Sequence, residues 1–138
     1  MAIPELNRNK KWLQRVLVVL GLIPLVSGAL CILGGAQGMP GGMAINSTVD
    51  GELRFLGGIW FGFGLILYSI IPKIETETMV FRLLIASIFA GGIGRLISIA
   101  NLGFPHPFFL GPLFIELILA PTLIVWQKSI ASSKLPSK

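Results

Sequence analysis

The sequence predicts an all-α integral membrane protein, a four-transmembrane-helix bundle with both termini cytoplasmic, and three observations carry that expectation. Hydrophobic residues make up 54% of the 138 and charged residues only 12%, and the mean hydropathy is +0.84. An ordinary globular domain is roughly half apolar and about a quarter charged. Four apolar segments come close to the length of about 20 residues that a helix needs to cross a bilayer. Lysine and arginine gather at alternate ends of those segments.

The chain, 1–138, reads as a single membrane domain. The first helix is expected over about 12–33, and the outer glycine-rich loop "GGAQGMPGGMAINSTVDG", 34–51, ends it. The second helix covers about 52–71 and stops at "PKIETET", the third covers about 79–100 and stops at "NLGFPHP", and the fourth covers about 108–126. Glycine, proline and asparagine in the connectors break helices for backbone reasons. Pro24 and Pro121 are expected to kink the first and last helices, since each removes an i to i−4 hydrogen bond.

Direction follows from the cations. Arg8, Lys10, Lys11, Arg15, Lys73, Arg82, Lys128, Lys134 and Lys138 fall on one side, and the loops 34–51 and 101–107 carry none. Positive residues favour the cytoplasmic side, which puts both termini there. Trp12, Tyr68 and Trp126 then lie near the cytoplasmic interface, and Phe104, Phe108 and Phe109 near the opposite one. The expected location is integral to a membrane whose inner face is the cytoplasm.

The formal net charge of +5 does not point to nucleic acid, because the basic residues are scattered at helix ends instead of forming a stripe with interleaved aromatics. Cys31 is the single cysteine and His106 the single histidine, so neither an internal disulfide nor a multi-His or Cys-based metal site is expected within one chain. "SGALC" (27–31) approaches a lipoprotein cleavage box, but Leu30 stands where a small residue is needed. The first apolar stretch is also longer than the core of an ordinary cleaved signal peptide. No cofactor is implied.

Small residues are expected to mark helix contacts: Gly58 and Gly62 in the second helix, with Gly57 and Gly64 close by, and Ala90, Gly94, Ser98 with Ser87, Gly91 and Gly92 in the third. The charges inside the spans form a second pattern. At 1.5 Å per residue, Arg95 lies about 7.5 Å inward from the outer end of the third helix and Glu116 about 6 Å inward on the fourth. Arg54 lies about 4.5 Å inward on the second. Asp50 and Glu52 stand just above Arg54.

A buried charge costs roughly 2.5–3.5 kcal/mol at a helix centre on insertion scales, which favours pairing inside the protein. Arg95 and Glu116 are the expected pair, being of equal depth on consecutive antiparallel helices. Arg54 has Asp50, Glu52 and Glu116 as candidate partners, and Asn101 and His106 are contributors from the loop above. The cluster Arg54, Arg95, Glu116 and Glu52 is therefore either a structural ion-pair set or a ligand site opening outward. Arginine suits bidentate recognition of carboxylate or phosphate, and a membrane lipid is the nearest source. Asn46-Ser47-Thr48 matches a glycosylation sequon, which matters only in a secretory pathway.

"ELRFLGGIWFGFGL" (52–65), "GGIGRLIS" (91–98), the "GFPHP" loop (103–107) and Glu116 in the last helix, in that order, resemble a bacterial family of small four-helix membrane proteins, domain of unknown function 4345. The resemblance covers the chain from the first helix to the last. It implies a four-helix membrane fold, DoxX-like in broad character, and places the family's polar pattern on Glu52, Arg54, Arg95 and Glu116; it implies no reaction.

Two functions are expected from these features: binding of a lipid or amphipathic small molecule at the outer polar cluster, or an accessory or assembly role in a larger membrane complex or homo-oligomer. A membrane enzyme on a lipid-soluble substrate, using Glu116 or His106 for proton transfer, ranks below them. No catalytic residue is singled out, because nothing in the sequence supplies a metal, a nucleophile triad or a nucleotide loop. A small proton-coupled exporter ranks low as well, since the first helix has no membrane-embedded carboxylate.

Overall fold

The computed structural model describes residues 3–42 and 45–132. Among them the chain is all-α, with four helices long and apolar enough to cross a membrane. Helix α1 is Ile3–Gly34, α2 is Ser47–Ile70 and α3 is Thr78–Leu102. Helix α4, Pro107–Ser132, is a composite: a 3-10 turn Pro107–Phe109, an α segment Leu110–Phe114, a π turn Ile115–Leu119 and an α segment Ala120–Ser132. Met43 and Ala44 of the glycine-rich loop, with Lys134 and Lys138 of the basic set, lie outside the described residues.

The residues form two compact units: Arg15–Pro72, and the residues up to Gln14 together with those from Lys73 onward. In the unit Arg15–Pro72, the body of α1 packs antiparallel on α2. The contact is close enough to be backbone on backbone. A Cβ built on Gly28 would lie 2.8 Å from both the Gly57 carbonyl oxygen and the Phe61 nitrogen. One built on Gly64 would meet Leu25 at 2.7 Å.

In α1, Gly21 and Gly28 stand seven residues apart, as Gly57 and Gly64 do in α2, and seven residues at about 3.6 per turn return a helix to nearly the same face. Small residues at that repeat let the backbones approach. Polar bonds run along the seam: Tyr68 Oη donates to the Val18 carbonyl at 2.6 Å, Trp60 Nε1 to Ser27 Oγ at 2.9 Å, and Cys31 Sγ to the Leu53 carbonyl at 3.1 Å.

Of the glycines expected at helix contacts, Gly57, Gly64 and Gly92 stand at close approaches and the others do not. A Cβ on Gly58, Gly62, Gly91 or Gly94 would meet nothing within 4 Å, so the four-residue steps do not mark packed faces among the described residues. The α1–α2 seam takes the seven-residue pair instead. Glycines at 51, 57, 58, 62 and 64 support more than one periodicity, and only a partner helix selects between them.

In the other unit, α3 packs on α4, and the first turns of α1 are tied to α4 and to the connector between α2 and α3. Leu13, Ile74 and Phe81 are wholly buried, and Leu84, Ile85, Ala120, Leu123 and Ile130 are nearly so. Polar side chains tie the ends of these elements. Lys10 Nζ bonds Glu75 Oε1 at 2.8 Å, Trp126 Nε1 donates to Asn9 Oδ1 at 2.9 Å, and the buried Gln127 donates through Nε2 to the Ile74 carbonyl at 2.9 Å and to Thr78 Oγ1 at 3.1 Å. Helix α1 thus begins well before residue 12, because its polar first turns have packing and hydrogen-bond partners that hydropathy does not register.

Pro24 lies inside α1, which runs through it. Pro121 has a larger effect. It has no N–H to donate back into the preceding turn, and the turn immediately before it is the π turn, closed by the Ala120 N–H on the Ile115 carbonyl. Interruptions of this kind arise where the i to i−4 ladder loses a donor.

Candidate functional site

The interior charges sort into two clusters, one in each unit. In Arg15–Pro72, Arg54 Nε donates to Asp50 Oδ2 at 2.6 Å, and Nη1 donates to the carbonyls of Ile32 at 2.7 Å and Leu33 at 2.9 Å. Asp50 Oδ1 accepts from the Ala36 N–H at 3.1 Å. The last carbonyls of a helix have no intrahelical donor, so Arg54 serves as a side-chain cap on the C-terminus of α1. Asp50 holds both that guanidinium and the 3-10 turn Gly35–Gly38 that follows.

Gly35 has φ of +55°, a conformation that favours glycine. A Cβ there would run into Asp50 Oδ1 and Arg54 Nη2. The local chemistry is that of a latch, with the cation committed to backbone oxygens and one carboxylate.

The second cluster has a different balance. Arg95, on α3, lies with Nε 2.9 Å from Glu116 Oε2 and donates its aligned hydrogen bond to Oε1 at 3.2 Å, so that one N–H sits between the two carboxylate oxygens. Neither Nη nitrogen makes a hydrogen bond among the described residues. The Arg95 side chain is 44% exposed and that of Glu116 only 11%. The guanidinium carbon lies 5.7 Å from the centroid of the Phe109 ring, a cation–π distance. Phe108 packs edge-on against Phe109 at 5.3 Å and 87°.

Local structure explains why Glu116 is reached. It belongs to the π turn that precedes Pro121, and it faces Gly92 of α3. A Cβ on Gly92 would lie 3.0 Å from Glu116 Cβ and 2.9 Å from Leu117 Cδ2. Glycine at 92 therefore lets α3 rest on the carboxylate-bearing turn, and Arg95, one turn further on, closes over it. The result is a charge pair whose arginine keeps both Nη groups unbonded among the described residues, beside an aromatic ring.

The remaining candidates are dispersed. Glu52 is exposed and has no hydrogen bond or ion pair among the described residues; of the candidate partners of Arg54, Asp50 is the one it bonds, at the favourable i, i+4 spacing. Asn101 is exposed in the last turn of α3. His106 is an exposed N-cap whose Nδ1 accepts from the Phe108 N–H at 3.3 Å. Among the described residues no group of three His, Cys, Asp or Glu side chains is placed to hold a metal.

The role of backbone carbonyls at Ile32 and Leu33 was beyond sequence reasoning, since every residue offers such acceptors. No curated protein and no solved structure matches the chain. The model of domain of unknown function 4345 matches residues 12–127, and the protein belongs to that family.

Proposed function

We propose that this membrane protein binds an amphipathic molecule, in the first instance a membrane lipid, at Arg95. The observation that carries this reading is the division of the guanidinium: Nε is committed to Glu116, while both Nη groups are unbonded on a half-exposed side chain beside Phe109. A fork of free N–H donors suits two oxygens of a phosphate or carboxylate, and an adjacent aromatic face suits the acyl or glycerol part of the same molecule. Arg54 is set apart from this role by its bonds to Asp50, Ile32 and Leu33.

Copurifying lipid, read by native mass spectrometry from mild detergent, tests the reading. Arg95→Ala should strip a retained lipid that Arg54→Ala leaves in place. Equal retention by wild type and Arg95→Ala sinks the proposal. The orientation that goes with it has both termini in the cytoplasm of a bacterial inner membrane, which the distribution of lysine and arginine supports. In a Cys31→Ser background, His106→Cys should then react with an impermeant maleimide from outside the cell, and labelling only after lysis would reverse the topology.

A second reading has its own observation. The open faces at Gly58 and Gly62 and at Gly91 and Gly94 would admit a helix of a larger membrane complex, or of another copy, in an accessory or assembly role. Purification at native expression level that yields only monomer would count against it.

A further inference from the structure

Within the reading of Arg95 as a lipid site, we infer that Glu116 is its specificity-determining residue. It cancels the charge of Arg95 while leaving the guanidinium's outer donors in place, so that the site takes a phosphodiester inside an overall neutral, zwitterionic headgroup as readily as a net-anionic one. The carboxylate is largely buried behind Arg95 and spanned by Nε at 2.9 Å and 3.2 Å. Neither Nη group hydrogen-bonds within the described residues, and the side chain that carries them is 44% exposed. An incoming phosphate oxygen would hydrogen-bond to those groups and feel the guanidinium at close range. It would also feel the Glu116 charge only one guanidinium further off.

Coulomb energy falls as the inverse of distance and is weakly screened away from water. The two terms therefore offset much of each other, and the hydrogen bonds remain. An unopposed arginine at the same place would favour an anionic headgroup strongly. The pair does not. Three structural features hold Glu116 in this position behind Arg95: the π turn at Ile115–Leu119, the absent Cβ at Gly92, and burial of the carboxylate.

The test uses the full-length protein in nanodiscs of phosphatidylcholine and phosphatidylglycerol mixed equally, with bound lipid read by native mass spectrometry. Wild type should hold the two lipids within about threefold of each other, and Glu116→Gln should shift the ratio toward phosphatidylglycerol by about tenfold. Glu116→Asp, which keeps the charge, should stay near the wild-type ratio. The wild-type protein gives an independent measurement: its phosphatidylglycerol retention should be flat from low salt to about 0.5 M, where an uncompensated cation would lose ligand to screening.

Inorganic phosphate should displace neither lipid; displacement would move the assignment from a lipid headgroup to a free anion. A wild-type preference for phosphatidylglycerol that Glu116→Gln leaves unchanged overturns the inference. Retained lipid that Arg95→Ala does not disturb overturns instead the reading on which it rests.

Discussion

Replacing Gly28 with alanine should weaken the α1–α2 contact, whereas the same change at Gly62 should not. The added methyl at Gly28 would sit 2.8 Å from the Gly57 carbonyl oxygen and the Phe61 nitrogen and 3.0 Å from Phe61 Cα. All three are backbone atoms, so no side chain can swing away. Ordinary contact begins near 3.4 Å, and α2 must retreat by at least about 0.6 Å. A gap of that size forfeits a quarter to a half of the dispersion well for the atoms along the seam. It also stretches the Trp60–Ser27 and Cys31–Leu53 bonds.

Overpacking costs about 1–3 kcal/mol, near the upper end where backbone meets backbone, and exchanging a helical glycine for alanine returns about 1 kcal/mol, leaving a net loss of about 1–2 kcal/mol. At Gly62 nothing lies within 4 Å, so only the gain of up to about 1 kcal/mol applies. Reversible unfolding by SDS titration in mixed micelles, followed by tryptophan fluorescence, measures both variants. Stabilities that agree within about 0.5 kcal/mol, or a larger loss at Gly62, would refute the seven-residue seam.

Arg54→Ala should lower stability by about 1–2 kcal/mol after allowance for its partial exposure, in the same SDS titration. Arg54→Lys should recover less than half of that, because one ammonium cannot replace the fork that joins Asp50 to two carbonyls. Gln127→Ala should cost about 2–4 kcal/mol, since it leaves a cavity in a buried site and removes the donor from the Ile74 carbonyl; thermal unfolding in detergent reads it, and a loss under about 1 kcal/mol would contradict the burial described here.

Hydropathy and punctuation locate the four helices because a bilayer demands long uninterrupted apolar runs, and "PKIETET" and "NLGFPHP" interrupt them unmistakably. The same signal missed the polar start of α1, where Asn9 and Lys10 are held by Trp126 and Glu75. Those partners lie far along the chain and have no local signature. Depth arithmetic brings Arg95 and Glu116 to one level, and they are joined through Nε. It gives no guide to Arg54, whose strongest partners besides Asp50 are main-chain oxygens. Nor does a list of glycines reveal a packing face: Gly57 and Gly58 differ only in which way the helix turns them.

The π turn gives the fourth helix an unusual freedom over evolutionary time. It holds one more residue than an α-helical turn would, so the segment before it and the segment after it are out of phase by about 100° relative to a regular helix. Deleting a single residue there would turn Glu116 away from Arg95 while Leu123, Gln127 and Ile130 kept their seats, and a later insertion would turn it back. A one-residue change in length at this turn would thus part the carboxylate from Arg95 with no substitution in the packed interior.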